Sequence, residues 1–544
     1  MENTNGKGIS KGLAIFLTTL CILLLCGLSL MLFISSSGSD SEKFDAYIEQ
    51  LFKEEAAANT INLHYTLAYP ENYGITDYEV TLGSYSSEEI KKAYQELDEM
   101  KKELLKFHPS KLTDDQRLTY DILLDYVETE LLVKDLIYYD EWLGAITGYQ
   151  AQLPVILAEY TFRTEKDIQD YLKLLSQMDE MFEAIMAFEE EKSEEGLFMA
   201  DYIADDIIAQ CREFIKDPED NYMIEIFNDK IEEFQGLDDE AKKAYMEENY
   251  EIITTQVVEG YQTLIDGLTG LKGSGTNELG LYYYEDGREY YEYLVRTKTG
   301  SEDSVKKLQK KVDSFMTSRL TSAQMAIMEE PQIYYDFLGY EYEMTDPEEI
   351  VADLMVKMEE DFPTPPEADY TIKYVHPSMQ EYMSPAFYLT TPVDDLKNNL
   401  IYINEKYTNE DANIYSTLAH EGYPGHLYQN IYTNSSEIAP IRTLLSYSGY
   451  TEGWATYVEF EYSYDYSGMS QGVADVASIN TALSLGLYAY ADMGIHYDGW
   501  DRDDLAEYLL SYGIEDDEIT DEVFDALVEE PANCLLYTSD AADE

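Results

Sequence analysis

Cysteine, histidine and basic residues are all scarce in this chain, and each scarcity excludes something. Four cysteines occur in 544 residues: Cys21 and Cys26 in an apolar N-terminal run, Cys211 alone in the main body, and Cys534 near the C-terminus. Positions like these build no disulfide framework, so the core has to hold the fold. Lys and Arg number 36 against 109 Asp and Glu, a formal charge of -73. A field of that sign repels nucleic-acid phosphates and anionic lipid, which excludes both as partners. It attracts cations and basic peptides, and acids spread over solvated helix faces keep an exported protein soluble. Only six histidines are present, so two of them in one heptapeptide carry information.

What is there begins with one long apolar run. Lys7 and Lys11 precede an unbroken stretch of apolar or small residues from Gly12 to Ile34. As a helix it would be about 35 Å long, enough to span a bilayer. Basic residues before it place residues 1–11 in the cytoplasm and the bulk of the chain outside. A cleaved signal peptide has a shorter apolar core, so the run reads as a single-pass signal-anchor over 12–34. Secretion, or lipidation at Leu23-Leu24-Leu25-Cys26, are the alternatives. Residues 35–42 read as a linker and 43–533 as one helical domain.

From Ser41 to about Glu360 apolar residues recur at spacings of three and four, which predicts helices. Ile168, Tyr171, Leu172, Leu175, Met178, Phe182, Ile185 and Met186 form one such face, with the methionines as core filler. After Pro363-Thr364-Pro365-Pro366 the texture changes, and Tyr370–Val375, Ala386–Thr391 and Leu400–Asn404 read as three short strands. A helix from Thr408 to Gly422 follows, with Thr408 and Asp411 at capping-box spacing. A small sheet beside that helix either braces it or binds an extended peptide along its edge.

His420-Glu421-Gly422-Tyr423-Pro424-Gly425-His426 closes the helix, and Thr451-Glu452-Gly453-Trp454 begins twenty-five residues later. Two histidines and a distal glutamate are the donors of a catalytic zinc site, and a further carboxylate serves as general base. The histidines stand six apart, not four. On a regular helix the second would sit roughly 120° off the first one's face. Pro424 and Gly425 fall in the gap, so the helix should break there and swing His426 back toward the same ion. Glu421 is then the base, Glu452 the third ligand, and Glu459 either a carboxylate behind a ligand imidazole or a solvated acid. His496 would donate to a developing oxyanion, with Tyr497 helping, or be a buried satisfied histidine. His64, His108 and His376 read as ordinary. Arg442 either clamps a peptide carboxylate or pairs with one of the many acids.

These residues resemble the bacterial family called domain of unknown function 885. Its marks are His-Glu-x-x-Pro-Gly-His, Glu-Gly-Trp-Ala and Gly-Ile-His-x-x-Gly-Trp, matched at His420–His426, Glu452–Ala455 and Gly494–Trp500. The similarity spans roughly Lys43 to Asn533. The family in turn resembles the mostly helical, gluzincin-type zinc peptidases. That likeness implies a mainly α, two-lobed fold with a deep channel and a small sheet beside the active-site helix. It also implies His420, His426 and Glu452 as zinc ligands, Glu421 as base and His496 as a helper. The chain ends Cys534-Leu-Leu-Tyr-Thr-Ser-Asp-Ala-Ala-Asp-Glu544, which resembles a translated adapter joined to a truncated frame, so 534–544 are expected to lie outside the fold. The resulting expectation is a membrane-anchored, extracytoplasmic Zn2+ peptidase acting on short peptides. A zinc hydrolase of a non-peptide amide or ester, and a non-catalytic surface binding protein, are the alternatives. The sequence sets no oligomeric state.

Overall fold

A computed structural model describes residues 38–537, apart from 146, 378–379, 381–382, 409–413, 437 and 446. The expected anchor at 12–34 and the expected cap at Asp411 lie outside the described residues. Among the described residues no helix is long and apolar enough to cross a membrane.

The chain is mainly helical, as the spacing of its apolar residues predicts. Helix α1 (Asp40–Ala57) opens on a capping box in which the Glu42 N–H donates to Ser39 Oγ and the Ser39 N–H donates to Glu42 Oε2. Helix α2 (Asp114–Glu130) repeats the device with Thr113 and Gln116. Each box satisfies amides that a helix start leaves unpaired, worth about 1 kcal/mol. The face expected between 167 and 190 is buried as predicted, but on two helices. One spans Glu165–Leu175; the other, α3, spans Met178–Glu194. Met178, Met181 and Met186 all lie in the largest apolar cluster, beside Phe182 and Ile185. Helices α4 (Gly287–Thr299) and α5 (Gln471–Met493) share a second cluster through Tyr291, Val295, Ala489 and Met493.

The three strands form where the texture changes: β1 Tyr370–Tyr374 and β2 Ala386–Leu389 are slightly shorter than expected, and β3 Asn399–Ile403 starts and ends one residue earlier. Their order is β1-β3-β2, with β1 parallel and β2 antiparallel to the central β3. All four residues of β2 are buried, because a helix covers the face that water would otherwise wet. That helix is α6 (Ile414–Glu421), and Leu418 and Ala419 pack with Ile401, Ile403 and Ala386 of the sheet and with Ile350, Val351 and Leu354 of a helix at Pro347–Lys357. The sheet therefore braces α6 and fixes where its last turn points. Leu418 is fully buried, and truncating it to alanine would cost about 2–5 kcal/mol.

Residues Asn533–Tyr537 form a short helical turn, and Leu535 is buried beside Met316 and Ala489.

Candidate metal centre

Helix α6 ends at Glu421, and a new helix, α7 (His426–Asn434), begins at the second histidine. The break falls where proline and glycine predict it. Two backbone bonds close it: the Gly422 N–H donates to Leu418 O and the Gly425 N–H to Ala419 O. At Gly425 the chain passes so close to its own previous turn that a Cβ would lie 1.8 Å from His420 O. Only glycine fits there. The Tyr423–Pro424 peptide is cis.

The third residue comes from α8 (Ser448–Val458), which starts four residues before Glu452. Its Trp454 Nε1–H donates to Pro424 O at 2.9 Å. The Glu-Gly-Trp element thus ties its own helix to the carbonyl left open by the broken one. After Val458 the helix widens into a π-turn over Glu459–Ser463, a feature that re-aims side chains and recurs at functional sites.

The outcome is a buried cluster. His420, His426 and Glu452 bring ligand atoms within 4.8 Å of one another, and all three side chains are buried. Glu452 Oε2 lies 3.6 Å from His420 Nε2 and 3.5 Å from His426 Nε2. Two ligands each about 2.1 Å from one tetrahedral ion stand about 3.4 Å apart, so these separations match a shared ion better than a hydrogen bond. Buried His426 Nε2 makes no hydrogen bond, which is costly unless something else takes the lone pair. The donor set fits zinc in number, type and spacing. Burial alone would raise the Glu452 carboxyl, but the imidazoles of His426 and His420 outweigh it and hold the group well below the usual carboxylate range.

Two carboxylates flank the cluster. Glu459 Oε2 stands 3.3 Å from His420 Nδ1, the ring atom turned away from Glu452. Of the two readings open for Glu459, the structure places it behind the His420 imidazole, not in solvent. Glu421 is buried beside the cluster, and the Tyr388 N–H of strand β2 donates to its Oε2 at 3.0 Å.

The remaining sequence candidates fall elsewhere. His496 is fully buried; its Nδ1 accepts from the Leu281 N–H at 3.1 Å and its Nε2 lies 2.8 Å from Leu527 O. Both ring nitrogens are therefore spent on backbone, and neither is left for the oxyanion role expected of it. Tyr497 donates to Glu292 Oε1 at 2.8 Å, so it too is directed away from that task. Arg442 pairs with Asp115 at 3.4 Å. His64 accepts the Thr161 N–H and stacks on Tyr160, and His376 faces Glu225 at 3.6 Å.

Fold and site together define a mainly helical protein with a His–His–Glu cluster at a broken helix. The chain belongs to the family described as bacterial protein of unknown function (DUF885), whose model matches residues 70–538. The match starts later than the resemblance suggested and runs past Asn533. A crystal structure of a candidate lipoprotein from Colwellia psychrerythraea has the same fold, with TM-score 0.77, 18% identity, and 92% of this chain and 91% of that one covered. A candidate lipoprotein of unknown function from Shewanella oneidensis is also similar, with TM-score 0.60, 13% identity, and 93% and 92% covered. No curated protein matches the chain.

Proposed function

We propose that the protein is an extracytoplasmic zinc peptidase acting on short peptides. The observation that carries this reading is the pair of 3.5 and 3.6 Å separations between Glu452 and the two imidazoles, joined to a buried Glu421. Zinc held by His420, His426 and Glu452 would supply Lewis-acid polarisation of a scissile carbonyl and lower the pKa of a water molecule. The chain's own residues do the rest. Glu421 accepts the water's proton and returns it to the leaving amine. The Tyr388 N–H holds the Glu421 carboxylate in one orientation. Glu459 Oε2, 3.3 Å from His420 Nδ1, would set that imidazole's tautomer and aim once the ring is held on the metal. The two-lobed, channel-forming arrangement of helical peptidases belongs to this proposal and favours short peptides over folded proteins.

Hydrolysis of a non-peptide amide or ester would use the same groups, and substrate profiling separates the two. A non-catalytic binder has no use for Glu421 beside both imidazoles. For localisation, the lipoprotein descriptions of both structural neighbours favour attachment through Cys26 over a spanning helix. The deciding experiment is digestion of a peptide library by zinc-loaded wild type and Glu421→Gln, read by mass spectrometry. The variant should keep one zinc and lose about 10²–10⁴-fold in turnover. Equal turnover by both proteins would refute the assignment.

A further inference from the structure

Lys298 lies in the last turn of α4, where that helix crosses α8. The crossing is very close. A Cβ on Gly449 would meet Lys298 O at 2.7 Å and the Thr299 Cα at 2.9 Å. Gly449 precedes Glu452 by a single helical turn, so the Lys298 side chain starts beside the cluster. It is half-buried, yet its ammonium makes no hydrogen bond or ion pair among the described residues. That is odd in a chain with 109 acids and 36 bases, where almost any lysine can find a carboxylate. The charges that act on it are Glu530 and Glu452 itself. Glu530 is taken by the Thr147 hydroxyl. Two arginines are spoken for: Arg442 by Asp115 and Arg296, two residues before Lys298, by Asp125.

We propose that Lys298 is the anion anchor of this site, and that it takes the C-terminal carboxylate of a bound peptide, which makes the substrate class peptides with a free carboxy end. The inference rests on the peptidase reading. A strongly acidic protein repels the anionic end of a peptide, so recognising that end needs a local cation. An unpaired, partly desolvated ammonium on a residue packed against Gly449, itself one helical turn before Glu452, meets that need as a point charge. Burial lowers the ammonium's pKa, and the two carboxylates offset this in part. A basic group placed only to balance those carboxylates would stand within ion-pair distance of one of them.

The test uses the tripeptide Ala-Ala-Phe and its C-terminal amide. Binding of each is measured by calorimetry on zinc-loaded Glu421→Gln protein, alone and combined with Lys298→Met or Lys298→Arg; cleavage is measured on wild type. The acid should bind at least about tenfold tighter than the amide. Lys298→Met should bring that ratio near one at unchanged zinc content, and Lys298→Arg should keep most of it. A ratio near one before mutation, a ratio that survives Lys298→Met, or no binding of either peptide overturns the proposal. Equal weakening of acid and amide with loss of zinc also overturns it, since that is what a purely structural lysine would do. The expected ratio without cleavage by wild type sinks the peptidase reading and leaves the anchor standing. Cleavage with no acid preference does the reverse.

Discussion

Two buried histidine–acid clusters sit in this molecule, and they are built to opposite ends. Around His496 both ring nitrogens meet backbone partners, and Asp492 Oδ1 is bonded twice while its Oδ2 is left without a hydrogen bond. The ring bonds two backbone groups, Tyr291 donates to Asp492, and the Ala532 N–H donates to the same carboxylate. Around His420 and His426 the nitrogens face a shared carboxylate at distances too long for hydrogen bonds, and His426 Nε2 has no hydrogen-bonding partner. Both clusters are equally buried, so burial separates nothing. What differs is whether the imidazole nitrogens have been satisfied from within. A closed network rigidifies a core, whereas an open one keeps its lone pairs for something the chain does not itself provide.

The comparison breaks most sharply at the ligands. His426→Ala should drop zinc from one per chain to below about 0.1 after dialysis against a mild chelator, since two protein donors hold the ion poorly. Elemental analysis reads it, and full retention would remove the cluster from consideration. Gly425→Ala should lose zinc and stability together, by about 3 kcal/mol or more, because its Cβ meets backbone and not a movable side chain. Denaturant melts check this, and a native-like melt would mean that the break is soft.

The closed cluster should answer to pH and not to metal. Burial pushes the His496 imidazole down from 6.5 to about 4, with the Leu527 carbonyl opposing in part. The folded state therefore favours the neutral ring. Its contribution is fully present above about pH 6.5 and is lost as pH falls toward 4, up to about 3 kcal/mol. His496→Gln should flatten that acid limb in melts between pH 7 and 4 and leave the zinc content intact. Zinc loss in this variant would erase the distinction between the clusters. The smallest effect is expected at Glu459→Gln, a loss of about 10–100-fold in zinc affinity by chelator competition with little change in stability. No change at all would return Glu459 to the status of an ordinary acid.

Much of this was legible in advance, and for identifiable reasons. Helices between Ser41 and Glu360 follow from apolar spacing, which depends on nothing beyond the local chain. The three strands follow from β-branched and aromatic runs. Proline and glycine between His420 and His426 announced the break, because their backbone limits are intrinsic. Other features were not legible. The π-turn at Glu459, the backbone bond from Tyr388 to Glu421, and the proximity of Lys298 to Glu452 each join segments far apart in sequence. The role expected of His496 failed for the same reason, since Leu281 and Leu527, which consume its nitrogens, lie 215 and 31 residues away. Lys298 carried no signal of its own; one lysine among many looks like another until its partners are counted in space.

The amino-acid order alone determined the helical class, the position of the small sheet, the broken helix and the short inventory of histidines and glutamates from which the candidate metal centre is drawn. All of these are consequences of local backbone preference and residue chemistry. Tertiary structure alone decided that His426 Nε2 makes no hydrogen bond while both ring nitrogens of His496 are used up. That choice depends on what the rest of the folded chain brings within hydrogen-bonding distance.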